Sequence, residues 1–258
     1  MEKVNCAIVG GSGYTGGELL RLLLGHPRVE VTQVTSERSA GKLVFKAHPN
    51  LRKRTQLQFS KMAELRPCDL LFLCLPHGES MGKIELFQSL APKLIDLSAD
   101  FRLQSEKAYQ EWYHQPHARP DLLGKFVYGI PELHRDEMKR ASLISSAGCN
   151  ATVTILGLHP FYKLGLVEPD RTVVEVKVGS SEGGNTPSAS SHHPERSGAV
   201  RSFMPTRHRH TGEVLQELSF GKPIQVHMSV TSIELVRGAL ATSHVFLKDK
   251  LEDKDIWK

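Results

Sequence analysis

The sequence predicts an α/β protein with two domains, a parallel-sheet domain followed by an α+β domain with a largely antiparallel sheet. Near-continuous apolar runs such as residues 69–75 are typical of strands buried on both faces of a parallel sheet. The first strand leads into a glycine-rich turn and an amphipathic helix. After a later apolar helix that reaches Tyr162, apolar residues alternate at period two instead. We place the boundary between residues 1–149 and 150–258.

The composition is that of an ordinary globular protein, with 40% hydrophobic residues and 24% charged residues in 258. The start of the chain shows no leader sequence, and no apolar run is long enough to cross a bilayer, so we expect a cytoplasmic protein. The formal charge of +5 is dispersed and lacks interleaved aromatics, which favours an acidic small molecule or protein over nucleic acid. Unpaired spacing of the cysteines indicates a reducing compartment without disulfides: Cys6, Cys68, Cys74, Cys149.

A glycine turn follows the first predicted strand. Gly11, Gly13 and Gly16 match G-x-G-x-x-G between strand 4–9 and the helix that begins near Glu18. Such glycines allow a tight turn and close backbone approach, and the helix N-terminus receives a pyrophosphate. The order of strand, glycine turn and helix predicts a Rossmann-type dinucleotide site, with an ordinary βα turn as the alternative.

The end of the second predicted strand is where such a fold meets the adenosine ribose. Ser36, Glu37 and Arg38 stand there. An acidic residue favours a free 2′-hydroxyl and an arginine favours a 2′-phosphate. We interpret Ser36 and Arg38 as phosphate ligands and predict NADP, with a solvated loop residue as the alternative for Arg38.

Two further strand ends reach the same edge of the predicted sheet. Pro76 and His77 follow strand 69–75 and should border the nicotinamide half of the cofactor, with His77 in the cofactor pocket or capping a helix. Arg102 follows strand 93–98 and is a candidate anion clamp held in place by Asp100. The alternative is a purely structural ion pair.

Cys149 is the candidate nucleophile. It lies where the last strand of the first half gives way to small residues and a helix. A cysteine at a helix N-terminus is beside unpaired backbone N–H groups and the positive end of the helix dipole, which favour thiolate. The alternative is a buried structural cysteine, which is the usual role of an isolated one.

A long irregular segment, residues 179–211, is rich in histidine and arginine and suits an anionic site rather than disorder. Its arginines are Arg196, Arg201, Arg207 and Arg209. Metal binding by its histidines is a weaker alternative because no acidic or cysteine ligands keep a regular spacing with them: His192, His193, His208, His210. We therefore predict no metal.

These parts together indicate acyl reduction. The Cys149 thiolate would attack an acyl phosphate, expel phosphate and form a thioester that accepts hydride from a nicotinamide. A histidine would protonate the departing groups, and arginines would hold the phosphate and a carboxylate of the substrate.

Several motifs together resemble the N-acetyl-γ-glutamyl-phosphate reductase family: residues 10–18, 97–102, 128–132, 147–152 and 208–211. Residues 190–198 resemble the branch that reduces 2-aminoadipate 6-phosphate, and often glutamate 5-phosphate, on a small acidic amino-group carrier protein. Reduction of N-acetyl-γ-glutamyl phosphate or aspartyl phosphate stays open as an alternative, as does a non-catalytic NADP-binding protein.

The resemblance implies NADPH, a cytoplasmic role in lysine or arginine biosynthesis, a homodimer or homotetramer, and a C-terminal domain like that of glyceraldehyde-3-phosphate dehydrogenase. It makes Cys149 the nucleophile and His210 the acid/base, with His208 as the alternative. Its phosphate turn corresponds to Ser12, Gly13, Tyr14 and Thr15, and its ribose end to Ser36, Glu37 and Arg38. We assign substrate binding to Arg102, Asn150, Arg201 and His208. Family members continue beyond Lys258, which suggests a truncated C-terminus.

Overall fold

The computed structural model describes residues 3–189 and 191–256. Ser190, which opens one of the motifs above, and the terminal Trp257 and Lys258 lie outside the described residues. The chain divides into two compact units. One contains the chain up to Glu106 together with Pro116–Ala147, and the other contains Lys107–Gln115 and the chain from Gly148 onward.

The structure contains eleven strands and eight α-helices in its described part. The strands are β1 Val4–Val9, β2 Val29–Thr35, β3 Phe59–Ser60, β4 Leu70–Leu73, β5 Lys93–Asp96, β6 Val127–Gly129, β7 Leu143–Ser146, β8 Thr172–Val178, β9 Arg201–Met204, β10 Val226–Ser232 and β11 Ala239–His244. The helices are α1 Tyr14–Leu23, α2 Ile84–Leu90, α3 Glu106–Tyr113, α4 Pro131–Arg140, α5 Cys149–Lys163, α6 His193–Arg196, α7 His210–Leu218 and α8 Asp253–Ile256. Short 3-10 helices span Glu37–Ser39, Val44–Lys46, Pro49–Leu51, Met62–Glu64, Met81–Lys83, Pro120–Leu122 and Ser180–Gly183. None of these helices combines the length and apolarity that crossing a membrane requires.

The first unit is built on a seven-stranded sheet in the order β3-β2-β1-β4-β5-β7-β6, and every neighbouring pair is parallel. The central strand β1 buries Cys6, Ala7, Ile8 and Val9 completely. Such burial on both faces explains why these four consecutive residues are all apolar. The strand order reverses between β1 and β4, and ligands bind at the carboxyl ends of strands beside such a switch point.

Two helices of the first half of the sequence lie outside the regular alternation of strand and helix. Helix α4 follows β6 directly and begins at Pro131, because proline suits the first turn of a helix. Helix α3 carries the buried Tyr109. Residues Lys107–Gln115 belong to the second compact unit, although they lie within the first half of the sequence.

The second unit has a four-stranded sheet in the order β11-β8-β10-β9. The two outer pairings are antiparallel and the central pairing of β8 with β10 is parallel. The sheet is therefore mixed: its two outer pairings agree with the predicted largely antiparallel sheet, and its central pairing does not. Parallel neighbours require a long crossover connection, and the segment from Gly179 to Gln225 supplies it. Helix α5 packs on β11 and α7 packs on β10. Strand β8 lies between these two strands and buries Val174, Val176 and Val178.

Candidate active site

The four cysteines, all free, differ in their access to solvent. Cys149 is exposed, whereas Cys6 and Cys68 are buried and Cys74 is half-buried. Burial raises the pKa of Cys6 and the pKa of Cys74 to about 12 in each case, so both thiols stay protonated at neutral pH. Cys149 is therefore the most solvent-accessible of the four thiols.

Cys149 is the first residue of helix α5, directly after the residues that leave strand β7. No acidic residue lies in the first turn of this helix, so no carboxylate of that turn opposes a negative charge at the thiol. The Sγ atom of Cys149 lies 3.5 Å from Oδ1 of Asn150, whose side chain is almost fully buried. The neighbouring amide is therefore held against the thiol.

The residue before the thiol, Gly148, contacts two side chains of helix α7. Its backbone N–H donates to Oε2 of Glu213 at 2.8 Å, and Oε1 of that carboxylate lies 3.8 Å from Nε2 of His210. A Cβ atom added to Gly148 would lie 2.7 Å from both Cε1 and Nε2 of His210. Glycine is therefore required here because the imidazole packs directly on the backbone beside Cys149.

The two candidate histidines occupy different environments. Nδ1 of His208 accepts a hydrogen bond from the backbone N–H of His210 at 3.1 Å, and the two rings stand 4.6 Å apart and nearly perpendicular. Burial, reinforced by the charges of His210 and Arg209, lowers the pKa of His208 to about 3. His208 is thus neutral at physiological pH and serves as an acceptor at the start of α7.

Glu213 is a site residue that sequence reasoning missed. Its side chain is fully buried between Gly148 and His210. The available signal was its position three residues after His210, which places both side chains on one helix face. That spacing is common in helices, and only the contact with Gly148, 65 residues away, distinguishes it.

The glycine turn of the first unit fits a dinucleotide. Gly10 adopts φ +78°, and an added Cβ would lie 2.4 Å from the carbonyl oxygen of Cys74. Gly11 and Gly16 pack too closely for a side chain, whereas a Cβ on Gly13 would have no neighbour within 4 Å. Helix α1 begins at Tyr14 with Gly13 as its N-cap and without a side-chain cap. The turn is thus open to a phosphate at the helix N-terminus, which Tyr14 and Thr15 begin.

The ribose-end residues are also placed beside this turn. Ser36 donates a hydrogen bond to the hydroxyl of Ser12 at 2.8 Å. Oε1 of Glu37 accepts from the backbone N–H of Met62 at 2.9 Å, so this carboxylate already holds a loop. Arg38 is exposed, and no carboxylate among the described residues pairs with it.

Asp100 holds the loop after β4 instead of holding Arg102. Its buried carboxylate accepts from the backbone N–H groups of Gly78 at 2.7 Å and Met81 at 2.9 Å, and lies 2.7 Å from Nδ1 of His77. Burial opposes ionisation, but these hydrogen bonds outweigh it and hold the pKa of Asp100 below its usual value. The loop that carries Pro76 and His77 is therefore fixed by a carboxylate.

Arg102 is oriented by backbone carbonyls at the ends of two strands. Its Nε donates to the carbonyl oxygen of Ser146 at 2.9 Å, and Nη2 donates to that of Leu97 at 3.2 Å. The expected support from Asp100 is replaced by these contacts, because the Asp100 carboxylate is engaged by the β4 loop.

Arg196 anchors the long histidine- and arginine-rich segment to the end of strand β8. This arginine is buried and donates to the carbonyl oxygen of Val178 at 2.7 Å, with Glu182 at 3.7 Å. Arg201 is exposed on β9, and its guanidinium lies 3.5 Å from the carbonyl oxygen of Ala189. Nδ1 of His193 lies 3.2 Å from the hydroxyl of Ser180. Across residues 3–189 and 191–256, no three histidine, cysteine or acidic side chains gather as a metal site would require.

Two protein-family models match the chain, one in each half of the sequence. Residues 5–141 match the semialdehyde dehydrogenase NAD-binding domain, and residues 149–258 match the semialdehyde dehydrogenase dimerisation domain. A protein of Thermomicrobium roseum is 58% identical, covering 99% of this chain and 73% of its own length. The [LysW]-L-2-aminoadipate 6-phosphate reductase of Deinococcus radiodurans is 49% identical, covering 99% and 73%. The [LysW]-L-2-aminoadipate/[LysW]-L-glutamate phosphate reductase of Saccharolobus solfataricus is 47% identical, covering 100% and 74%.

Solved structures agree on the fold. Aspartate semialdehyde dehydrogenase II of Vibrio cholerae superposes with a TM-score of 0.72 at 15% identity, covering 100% of this chain and 78% of that one. The Candida albicans enzyme, solved with NADP, gives 0.67 at 15% identity, covering 99% and 75%. The predicted fold class and family resemblance are confirmed. The first unit has an open phosphate turn, and the second has an exposed thiol next to a residue that contacts a buried histidine. Because its two halves match the two semialdehyde dehydrogenase domains, the chain is a member of the semialdehyde dehydrogenase family.

Proposed function

We propose that this chain is an NADPH-dependent reductase that converts an acyl phosphate into a semialdehyde. The acyl group would be 2-aminoadipyl 6-phosphate, glutamyl 5-phosphate or both, attached to a small acidic carrier protein, in lysine or arginine biosynthesis. The observation that carries the proposal is the exposed Cys149 directly after Gly148, which contacts the buried His210 and Glu213. The names of the Deinococcus and Saccharolobus relatives support the choice of substrate.

The Cys149 thiolate attacks the acyl carbon. The new S–C bond forms as the C–O bond to phosphate breaks, and phosphate departs with that electron pair. The product is a thioester on Cys149. NADPH, when bound, supplies the hydride that reduces the thioester carbonyl carbon. Collapse of the resulting alkoxide releases the semialdehyde and returns the thiolate.

His210 is the residue we assign to proton transfer. Its ring packs on Gly148, the residue next to the nucleophile, and Glu213 lies against Nε2. This imidazole can donate a proton to the developing alkoxide and take it back as the C–S bond breaks and the carbonyl of the semialdehyde forms. His208, neutral and bonded to the backbone of His210, positions that ring.

The first unit supplies the cofactor site. We assign the pyrophosphate to the turn Gly11, Ser12, Gly13, Tyr14, Thr15 and Gly16, where the helix N-terminus is uncapped by side chains. NADP is favoured over NAD because Glu37 is engaged by Met62 while Arg38 is exposed beside Ser36. Pro76 and His77, fixed by Asp100, border the nicotinamide in this proposal.

The substrate's charged groups require cations of fixed position. Arg102, oriented by the carbonyls of Leu97 and Ser146, is assigned to an anionic group of the substrate. Asn150, whose amide oxygen lies beside Sγ, is assigned to the acyl group, and the exposed Arg201 to the carrier-bound end. A homodimer or homotetramer is supported by the match to a dimerisation domain, and four free cysteines support a reducing compartment such as the cytoplasm.

The test uses Cys149→Ser in the full chain. We expect NADPH binding to be unchanged, while phosphate-dependent NADPH production from the semialdehyde is lost, because a serine hydroxyl is far less ionised than a thiol. Cys74→Ser is the control, since that thiol is half-buried and protonated. Appreciable turnover by Cys149→Ser would exclude the thioester mechanism.

A further inference from the structure

One edge of the second unit's sheet carries an exposed surface that combines apolar and cationic side chains. All residues from 200 to 207 are exposed, including the whole of edge strand β9. Val200 is 77% exposed, Phe203 41% and Met204 37%. We call Val200, Arg201, Phe203, Met204 and Arg207 the β9 patch. Phenylalanine, methionine and arginine are enriched at the cores of protein interfaces.

The segment that leads to and contains the β9 patch is mainly basic. Residues 183–209 contain four arginines and a single acidic residue, Glu195. Of the four, Arg196 is buried and paired with Glu182, so the exposed positive charge belongs to Arg201, Arg207 and Arg209. An acidic surface is therefore the complementary partner.

The patch is held in a defined shape. β9 pairs antiparallel with β10, from Arg201 beside Ser232 to Met204 beside Val230. The segment before it is anchored by Arg196, and the hydroxyl of Ser197 donates to the carboxylate of Glu234 at 2.6 Å. A preorganised surface loses little conformational entropy on binding, which favours its use as a docking site.

We infer that the β9 patch is the docking surface for the acidic carrier protein that presents the acyl phosphate. This inference rests on the proposed function and adds to it the surface that would bind the carrier. A second copy of the chain fits the patch less well, because a two-fold symmetric contact sets the same surface against itself and brings the arginines together. The apolar side chains supply contact area, and the arginines steer an acidic partner and set its orientation.

The experiment uses LysW, which the names of the Deinococcus and Saccharolobus relatives contain, as the carrier. Calorimetry at low and high salt measures the affinity of the full chain for purified LysW without an attached acyl group. Arg207→Asp reverses one charge of the patch, and aspartate tolerates the left-handed backbone of this position, where φ is +55°. Phe203→Ser removes the aromatic contact. Arg171→Asp is the matched control, because Arg171 is exposed in the same unit and undergoes the same charge change.

We expect Arg207→Asp and Phe203→Ser each to raise the Kd for LysW about tenfold, with the control within about twofold of wild type. Wild-type affinity should fall as salt rises, and Arg207→Asp should depend less on salt. Unchanged affinity in both patch variants overturns the inference. So does a loss of self-association in sedimentation with unchanged LysW affinity, which would assign the patch to a second copy. LysW binding without any reduction of its acyl phosphate by wild type would instead count against the proposed function.

Discussion

Replacing Gly148 by alanine tests the geometry around Cys149 with a single methyl group. The backbone at this position has φ −68° and ψ 144°, which any residue adopts, so alanine introduces no backbone strain. The added Cβ would lie 2.7 Å from Cε1 and Nε2 of His210 and 2.8 Å from Oε1 of Glu213. Any loss of activity or stability must therefore come from that contact.

The size of the effect follows from these distances. An ordinary contact begins near 3.4 Å, so the imidazole must move by 3.4 − 2.7, or 0.7 Å. Overpacking of this kind costs about 1–3 kcal/mol of stability. A displacement approaching 1 Å at a reacting group costs up to about 100-fold in rate. We expect Gly148→Ala to lose about 30- to 100-fold in kcat/KM with NADPH binding unchanged.

The assay combines steady-state phosphate-dependent NADPH production, NADPH titration and urea unfolding. Gly157→Ala is the matched control on the same helix, because a Cβ there meets nothing within 4 Å. This control should keep full activity and gain about 0.5–1 kcal/mol of stability, since alanine restricts the unfolded chain and favours helix. If Gly148→Ala retains wild-type kcat/KM and stability, the imidazole does not pack on Gly148 and our assignment of His210 loses its basis.

Three further predictions address other parts of the site. His210→Asn should lower kcat by about 10²- to 10⁴-fold, as expected for a general acid/base, and a larger loss in His208→Asn would reverse the two roles. Gly13→Ala should leave thermal unfolding unchanged but weaken NADPH binding about tenfold, because its Cβ would occupy open space at the helix N-terminus where the phosphates are expected; an unchanged Kd would contradict the phosphate turn. For His208, with a pKa lowered from 6.5 to about 3, the unfolded chain binds a proton between these values that the folded chain does not. Stability should therefore fall as pH drops from 6.5 toward 3, and urea titrations of His208→Gln should show a flatter pH dependence.

Local patterns were sufficient for two features of the first unit. The apolar run of β4 and the glycine spacing that leads into α1 depend on residues close in sequence, and both are present. The helix begins at Tyr14 and not near Glu18, so Gly16 lies in its first turn. Burial on two faces produces such a run, and a glycine turn needs only its own residues. The position of Cys149 at the start of α5 was predictable for the same reason.

Contacts between distant residues were not predictable in this way. The parallel pairing of β8 with β10 follows from a crossover whose path no local period reveals. Asp100 was expected to hold Arg102 two residues away, yet three hydrogen-bonding groups of the β4 loop engage it. Spacing in the sequence indicates which groups are able to meet. It does not indicate which of several possible donors hydrogen-bonds to a buried carboxylate.

The sequence by itself determined the chemistry that this protein carries: a dinucleotide turn, a cysteine at a helix N-terminus, and histidines beside arginines. Only the tertiary structure decided how the cysteine is supported. It buried His208 as a neutral acceptor, packed His210 on Gly148, and joined Glu213 to that same backbone. The physical reason is that ionisation and orientation depend on burial and on partners across the fold, whereas helix and strand formation depend largely on local pattern.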